Sequence, residues 1–395
     1  MSNKFFIEKA LKSKFYQEKL ANVNLENWNS IPFTTKNDLR NVNPTDVLGV
    51  DQCDIATYHE TSGTTGTPTP SWFSHNDIQQ EADVLIRSDL KLTEKDLILN
   101  RFPFAVALPA FILYWAANKV KAGHIGVDQW SKATPLKRVI EIINRTSPTI
   151  LALGPTEAIK LHQTGKQLGQ QFPIQGLRAL ILGGEVVSPA RKKYIEKLWG
   201  VPVYLLFGST ETGGLFVTCQ EGHYHLNHPQ VKVEVVDDHG DPVQPNTIGN
   251  CVLSSGREGM PLLRYYNNDL VEIRKANNCS CGDKHDILVH YGRKDDTITI
   301  NTKEIKLYDI QEAVYSLSQV PFMWKMTIEN DSIVFVLQYL KEINSNSIQT
   351  ELSTLLGISV SIELQDIIPI VTLTEKPAFG KYSYVEKSES KLVAH

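Results

Sequence analysis

Between about residues 80 and 210 the chain repeats an alternation that few folds accommodate: a short, nearly all-apolar run, then a longer amphipathic segment. "DLILNRF", "GHIGVDQW", "PTILALG", "LRALILGGE" and "VPVYLLFGS" are short runs of this kind and read as strands buried on both faces. "TPLKRVIEIINRT" and "SPARKKYIEKLWG" place apolar residues at helical spacing, which predicts helices covering those faces. Strand and helix alternating in this way imply an α/β architecture around a parallel sheet.

The flanks have other textures. Residues 1–30 read as helical and amphipathic, and Pro32 ends that pattern. In "IPFTTKNDLR", Thr34, Thr35 or Asp38 could cap a further helix. After about 220, "HPQVKVEVVDDHGDPVQPNTIGNCVLSS" alternates apolar and polar residues between turn signals, as an antiparallel β meander does. The last hundred residues follow a β-α-β-β-α-β order, the size of a small ferredoxin-like domain. At 395 residues the chain exceeds one compact core. The expected class is therefore α/β, with mixed or parallel sheets and a β meander in a large N-terminal domain (1–291). A hinge (292–296) and a small α+β ferredoxin-like C-terminal lid (297–395) complete it.

Charge narrows the partners. Lys plus Arg number 40 and Asp plus Glu 44, a net charge of −4, which points to neither nucleic acid nor an anionic membrane. The N-terminus lacks a signal-peptide h-region, and the longest apolar run, Ala105–Ala117, is interrupted by Pro109 and too short to span a bilayer. A cytoplasmic protein is expected, with a homodimer as a candidate assembly. Five cysteines, an odd number, argue against a disulfide framework.

Two short segments carry chemistry. In Thr61-Ser62-Gly63-Thr64-Thr65-Gly66-Thr67, two glycines permit a tight turn with successive N–H groups, and the hydroxyls add donors. This is an anion cradle or a Thr-rich surface turn; it is not the GxxxxGK[ST] P-loop. In "LLFGSTETGG", an apolar strand runs into a small-residue turn, the usual ligand-facing edge of an α/β sheet. There Phe207 could stack on a base, Thr210 bond a phosphate, and Glu211 hold Mg²⁺. Asp269 in "MPLLRYYNNDL", "YGRKDDTITI" at 291–300, and Lys381 in "EKPAFGKYSY" are weak signals individually.

In order and spacing these segments resemble the adenylate-forming superfamily of acyl-CoA synthetases, adenylation domains and luciferases. "IPFTTKNDLR", "TSGTTGTPT", "ILGGE", "FGSTETGG", "DLVEI", "CSCG" and "YGRKDD" resemble the phenylacetate–CoA ligase family most, over roughly residues 30 to 385. The resemblance implies that a carboxylic acid, aryl or arylacetic, attacks the α-phosphate of ATP. The acyl-adenylate then passes to a thiol, commonly that of coenzyme A; a carrier-protein phosphopantetheine or an amine is the alternative acceptor. A homologue that binds nucleotide without turnover is a further alternative. The resemblance also implies roles. Thr61, Ser62, Gly63, Thr64, Thr65 and Gly66 hold the triphosphate tail, with Gly208 and Ser209 in the second nucleotide loop. Gly183, Gly184, Glu185 and Phe207 line the adenine slot, and Asp269 with Arg293 holds the ribose. Thr210 and Lys381 act at the α-phosphate, Glu211 binds Mg²⁺, and Asp295 is the hinge.

Three positions depart from the family pattern: Thr67 replaces a lysine, Asn268 replaces an arginine, and the hairpin "INTKEIKLYD" lacks the glycine along which pantetheine passes. All three bear on the second half-reaction or the choice of acceptor more than on adenylation. The acid is expected between a strand at 101–111, the "LGPTEA" segment and the "FGSTETGG" turn, with Phe104, Gly154 and Gly213 facing it. Phe102, Phe111 and Tyr114 are further candidates for a flat apolar slot. Only Glu157 is acidic in the first two segments, which disfavours an amino-acid substrate. Finally, Cys219, His225, Cys279 and Cys281 form Cys/His pairs on two loops that could assemble structural tetrahedral Zn²⁺, with His223 as a substitute for His225.

Overall fold

The computed structural model describes residues 1–61, 67–276, 279–300, 302–329, 332–369 and 382–387. Its centre is a six-stranded sheet in the order Gly123–Gly126, Leu97–Asn100, Ile150–Leu153, Ala179–Gly183, Val203–Ser209 and Gly213–Val217. The first five strands are parallel and the sixth is antiparallel. The apolar runs were all-apolar because both faces are covered. Alternate strand residues such as Ile98, Ile150 and Ile181 pack under helices His75–Ile86 and Pro109–Val120. Their neighbours Leu99, Leu151 and Leu180 pack under Leu136–Thr146, Pro155–Gln167 and Pro189–Trp199.

An antiparallel sheet follows, in the order Val231–Val236, Gly249–Ser255, Leu262–Arg274, Ile287–Arg293 and Tyr224–His225. It shares a small core with the central sheet, to which Phe207 and Leu215 contribute from one side and Cys251 and Val271 from the other. A two-stranded antiparallel pair, Ile55–Glu60 with Pro70–Ser74, flanks the Thr-rich segment in the sequence.

Lys294–Asp296 forms one 3₁₀ turn after the body's last strand. Beyond it come a hairpin (Ile298–Ile300 with Lys303–Ile305), helices Leu307–Tyr315 and Ser345–Leu356, and a four-stranded sheet. That sheet runs Val360–Leu364, Ser332–Gln338, Met323–Glu329, Val385–Lys387. This C-terminal unit rests on the body through its first helix. Gln311 and Glu312 accept from the backbone N–H groups of Ser188 and Ala190, at the start of helix Pro189–Trp199.

Two expectations change. The N-terminal segment is two short helices, Asn3–Ala10 and Lys14–Lys19, because the Ser13 hydroxyl caps a new start. Residues 101–111 are not a strand: pairing ends at Asn100, and Pro109 opens a helix whose first turn needs no proline N–H. Among the described residues no helix is long and apolar enough to cross a membrane.

Candidate nucleotide and acid site

The turn after strand Val203–Ser209 is built from small residues because nothing larger fits. A side chain at Gly208 would collide with the Gly213 carbonyl, and one at Gly213, whose φ is +83°, with the Glu81 carboxyl. Ser209 and Thr212 close the turn, the Ser209 N–H donating to Thr212 Oγ1 at 3.0 Å and the Thr212 N–H to Ser209 Oγ at 3.2 Å. Half-buried Thr210 sits at its apex. Behind it, Glu81 Oε2 accepts from the Gly214 N–H at 2.7 Å. Burial pushes the Glu81 carboxyl up to about 8, although the Arg257 charge pulls the other way. Arg257, fully buried with its guanidinium 4.1 Å from the Phe73 ring, donates to the Glu211 carbonyl at 2.8 Å.

The turn aims Glu211 inward, where it is 4% exposed. Its Oε1 faces Lys36 Nζ at 3.2 Å and accepts from the Tyr265 hydroxyl at 3.3 Å. Burial first, and then the Glu211 charge, hold the Tyr265 phenol well above its ordinary value. Lys36 reaches the site because Thr35 and Asp38 form a capping box that starts its helix there.

Tyr265 lies on the strand that carries Asp269. Asp269 pairs in register with Arg293 on the next strand and accepts from the Asn267 amide at 2.8 Å. His290 Nε2 lies 3.5 Å from Asp269 Oδ1, and its ring is 4.7 Å from that of Phe207. Glu211, Asp269 and Arg293 thus converge on one edge where the two sheets meet. Lys36, Tyr265 and His290 join them, and sequence reading did not select these three. Alternation along "ILVHYGR" puts His290 on the face of Gly292, the one local hint available.

Other expected residues are placed differently. Phe207 is 6% exposed and packs between His290 and Tyr224, so its ring belongs to the core between the sheets. The Glu185 carboxylate accepts from Thr156 Oγ1 at 2.7 Å and from Arg191 at 2.9 Å, facing the C-terminal unit. Gly183 packs tightly on Leu206, and Gly184 has φ +85°. On either side of the Thr-rich segment, Thr69 N–H donates to Thr61 Oγ1 at 3.0 Å. Ser62, Gly63, Thr64, Thr65 and Gly66 lie outside the described residues, as does Lys381. Asp295 accepts from the Asn268 amide at 2.6 Å, and Asn268 has φ +65°.

Near the expected acid slot, Phe104 and Phe111 come together at 5.9 Å, with His59 and Trp115 against Phe111. Burial holds the His59 ring down to about 4, hence neutral. Phe102 is instead in the core and Tyr114 is exposed. Gly154 is buried beside Glu185. Glu157 is taken up internally by Arg101, Nε to Oε1 2.7 Å, both fully buried.

Cys219, His225, Cys279 and Cys281 are brought together, with ligand atoms all within 4.8 Å of one another. Cys219 Sγ lies 3.8 Å from Cys279 Sγ, and Cys281 Sγ 3.2 Å from His225 Nε2. Tetrahedral Zn²⁺ with bonds of about 2.0–2.3 Å has ligand-to-ligand edges on the order of 3.3–3.8 Å, close to these two distances, so the donor set fits. The other His225 nitrogen, Nδ1, sits 3.1 Å from the His285 carbonyl, as an N–H fixing the ligand tautomer would. His223 Nδ1 is 3.4 Å from Cys279 Sγ, at the edge of the cluster.

The sequence profile of the AMP-binding enzymes matches residues 7–260. The phenylacetate-coenzyme A ligase of Thermus thermophilus is 26% identical over 319 residues, covering 78% of this chain and 70% of that protein. A crystal structure of 2-hydroxyisobutyryl-CoA ligase in the postadenylation state, complexed with 2-HIB-AMP, superposes with TM-score 0.88 at 18% identity. It covers 98% of this chain and 89% of that one. The same ligase with 2-HIB-AMP and CoA in the thioesterification state gives 0.69 at 19% identity, covering 98% and 88%.

Proposed function

The chain belongs to the AMP-binding enzyme family, and from that premise we propose that it activates a carboxylic acid with ATP and passes the acyl group to a thiol, that of coenzyme A. In the first step a carboxylate oxygen bonds to the α-phosphorus and pyrophosphate leaves. In the second the thiol sulfur bonds to the acyl carbon and AMP leaves. The observation that carries this reading is the convergence of Glu211, Asp269 and Arg293 on one sheet edge. These are an acid suited to a divalent cation, an acceptor for ribose hydroxyls, and a fixed positive charge.

Each residue then has a task. Asp269, oriented by Asn267, accepts from the ribose, with Arg293 and His290 beside it. Thr210 donates toward the α-phosphate, and the loop from Thr61 through Ser62, Gly63, Thr64, Thr65 and Gly66 takes the β- and γ-phosphates. Gly183, Gly184, Gly208 and Ser209 keep the backbone clear of the nucleotide. Glu211 and the phosphates would hold Mg²⁺, which neutralises charge developing on the transferring group. Lys381 adds a point charge at the α-phosphate and carboxylate.

We assign residues 1–291 to a body, 292–296 to a hinge at Asp295, and 297–395 to a lid. The seated lid is the adenylating arrangement, a reading supported by the better fit to the postadenylation complex. An aryl or arylacetic acid is favoured by the Phe104–Phe111 pair, and Glu157 is already engaged by Arg101. Gly154 and Gly213 would border that slot. Cys219, His225, Cys279 and Cys281 would hold a closed structural Zn²⁺ that ties the β meander together.

A second acceptor, a carrier-protein thiol or an amine, has one observation in its favour. The hairpin that would admit coenzyme A carries Thr302, not glycine, at a φ of +70°. Mass spectrometry of products from ATP, Mg²⁺, coenzyme A and a panel of aryl and aliphatic acids tests the proposal. Acyl-CoA with AMP supports it; acyl-AMP accumulating without thioester moves the acceptor elsewhere.

A further inference from the structure

A buried polar contact between body and C-terminal unit adds to those of Gln311 and Glu312 with Ser188 and Ala190. Arg191 is fully buried and donates through Nη2 to Thr156 Oγ1 at 2.9 Å, Glu185 Oε2 at 2.9 Å and the Tyr384 hydroxyl at 2.6 Å. Tyr384 lies 2.6 Å from Thr156 Oγ1 and is itself only 5% exposed. Its ring stacks on buried Trp324 at 4.4 Å, which fixes it to the lid's own core. Two residues earlier, Tyr382 spreads over buried Lys160 of the body, 5.5 Å from Nζ to ring centroid. The segment leading into strand Val385–Lys387 is therefore attached to the body by two tyrosines.

The body half of this contact keeps its ion pair without its partner. Thr156 donates to Glu185 at 2.7 Å, and Arg191 keeps that same carboxylate and the Val186 carbonyl at 3.2 Å. Withdrawing Tyr384 leaves no buried ion unpaired, and the freed hydroxyl can turn to water. A contact that is strong when made and cheap to break suits a unit that seats and unseats in each cycle.

We propose that Tyr384, held by Arg191 and Thr156, is a positioning residue for the acid-activating half-reaction, seating the lid for adenylation and releasing it for transfer. The proposal rests on the two-step reading above. Tyr384 stands three residues after Lys381 in the chain.

The test uses the full-length protein and two isosteric variants: Tyr384→Phe removes the hydroxyl that both Arg191 and Thr156 meet, and Thr156→Val removes the Thr156 half of the contact. Phenylacetate is the probe acid. Both variants are expected to lower the maximal rate of ATP–pyrophosphate exchange about tenfold, the scale of a lost hydrogen bond to a charged group. The KM for ATP should stay within about twofold, and thioester formation from supplied phenylacetyl-adenylate and coenzyme A should persist. A parallel fall of both half-reactions together with Tm, or unchanged exchange, overturns the proposal. Lid seating is also read without any acid, by energy transfer between dyes on non-natural residues at exposed positions 95 and 342. Loss of the seated population in Tyr384→Phe supports the contact; a distribution identical to wild type overturns it. If wild type shows no exchange with any acid, the two-step reading fails, while the dye measurement still decides what seats the lid.

Discussion

Lys36 Nζ stands 3.2 Å from Glu211 Oε1, so the carboxylate assigned to a divalent cation already faces a positive charge supplied by the capped helix Lys36–Arg40. A carboxylate with only 6% of its side chain exposed needs such a counter-charge. The ammonium and a metal ion would then compete. Lys36→Met should lower the Mg²⁺ concentration for half-maximal activity by about fivefold, the scale of ~1 kcal/mol for a partly exposed pair. Glu211→Gln should reduce exchange by about 10²-fold. Titrating Mg²⁺ at saturating ATP separates the two effects; an unchanged or raised Mg²⁺ requirement in Lys36→Met would count against competition.

Glu81 predicts a pH dependence of stability. Its folded value of about 8 lies above the ordinary carboxylate value because burial disfavours the charge. Between about pH 4.5 and 8 the folded state therefore holds a proton that the unfolded state has lost. This contribution is full below the ordinary carboxylate value and is lost as pH rises through 8. Glu81→Gln keeps an acceptor for the Gly214 N–H and should flatten that part of the Tm-versus-pH curve, with the variant gaining relative stability toward pH 8. A variant whose curve parallels wild type between pH 5 and 8 would show that Glu81 is ionised in the fold.

Thr302 holds a φ of +70°, a conformation that costs a β-branched residue about 1–2 kcal/mol relative to glycine. Thr302→Gly should relieve that strain, raise Tm, and widen the approach for a pantetheine arm. Coenzyme A turnover is expected to rise while pyrophosphate exchange stays constant. A fall in Tm together with unchanged turnover would remove the strain argument and the steric one.

The Cys/His cluster should yield about one zinc per chain in protein purified without chelator. Burial first, and then the neighbouring Cys279 thiol, push the Cys219 thiol up to about 12, so without a metal it would stay protonated. Cys279→Ser should lose the zinc and lower Tm, with exchange in the remaining folded protein preserved because the ion is assigned a structural role. Elemental analysis that finds no zinc in wild type would dismiss the site.

The architecture was legible where local pattern and packing coincide. Ile98, Ile150 and Ile181 alternate with Leu99, Leu151 and Leu180 because the sheet is covered on both faces, and that leaves an unbroken apolar run in the sequence. The turn at Gly208–Gly213 was legible because only glycine tolerates its close approaches. The Cys/His cluster was legible because its spacing pairs ligands within each loop. The stretch 101–111 misled, since an apolar run carries no mark that tells a loop leading into a helix from a strand. Lys36 and Glu211, Glu185 and Tyr384, and His290 and Phe207 are partners separated by 175, 199 and 83 residues. Only the finished topology brings them together, so no local pattern marks them.

The central claim is that this chain forms an acyl-adenylate, and ATP–pyrophosphate exchange without coenzyme A measures that step alone. Across a panel of aryl, arylacetic and short aliphatic acids, exchange should depend on both Mg²⁺ and a particular acid. It should fall about 10²-fold in Glu211→Gln, the scale of one lost charge-stabilising group. Tight ATP binding with no exchange for any acid would contradict the account and leave a nucleotide-binding protein without turnover.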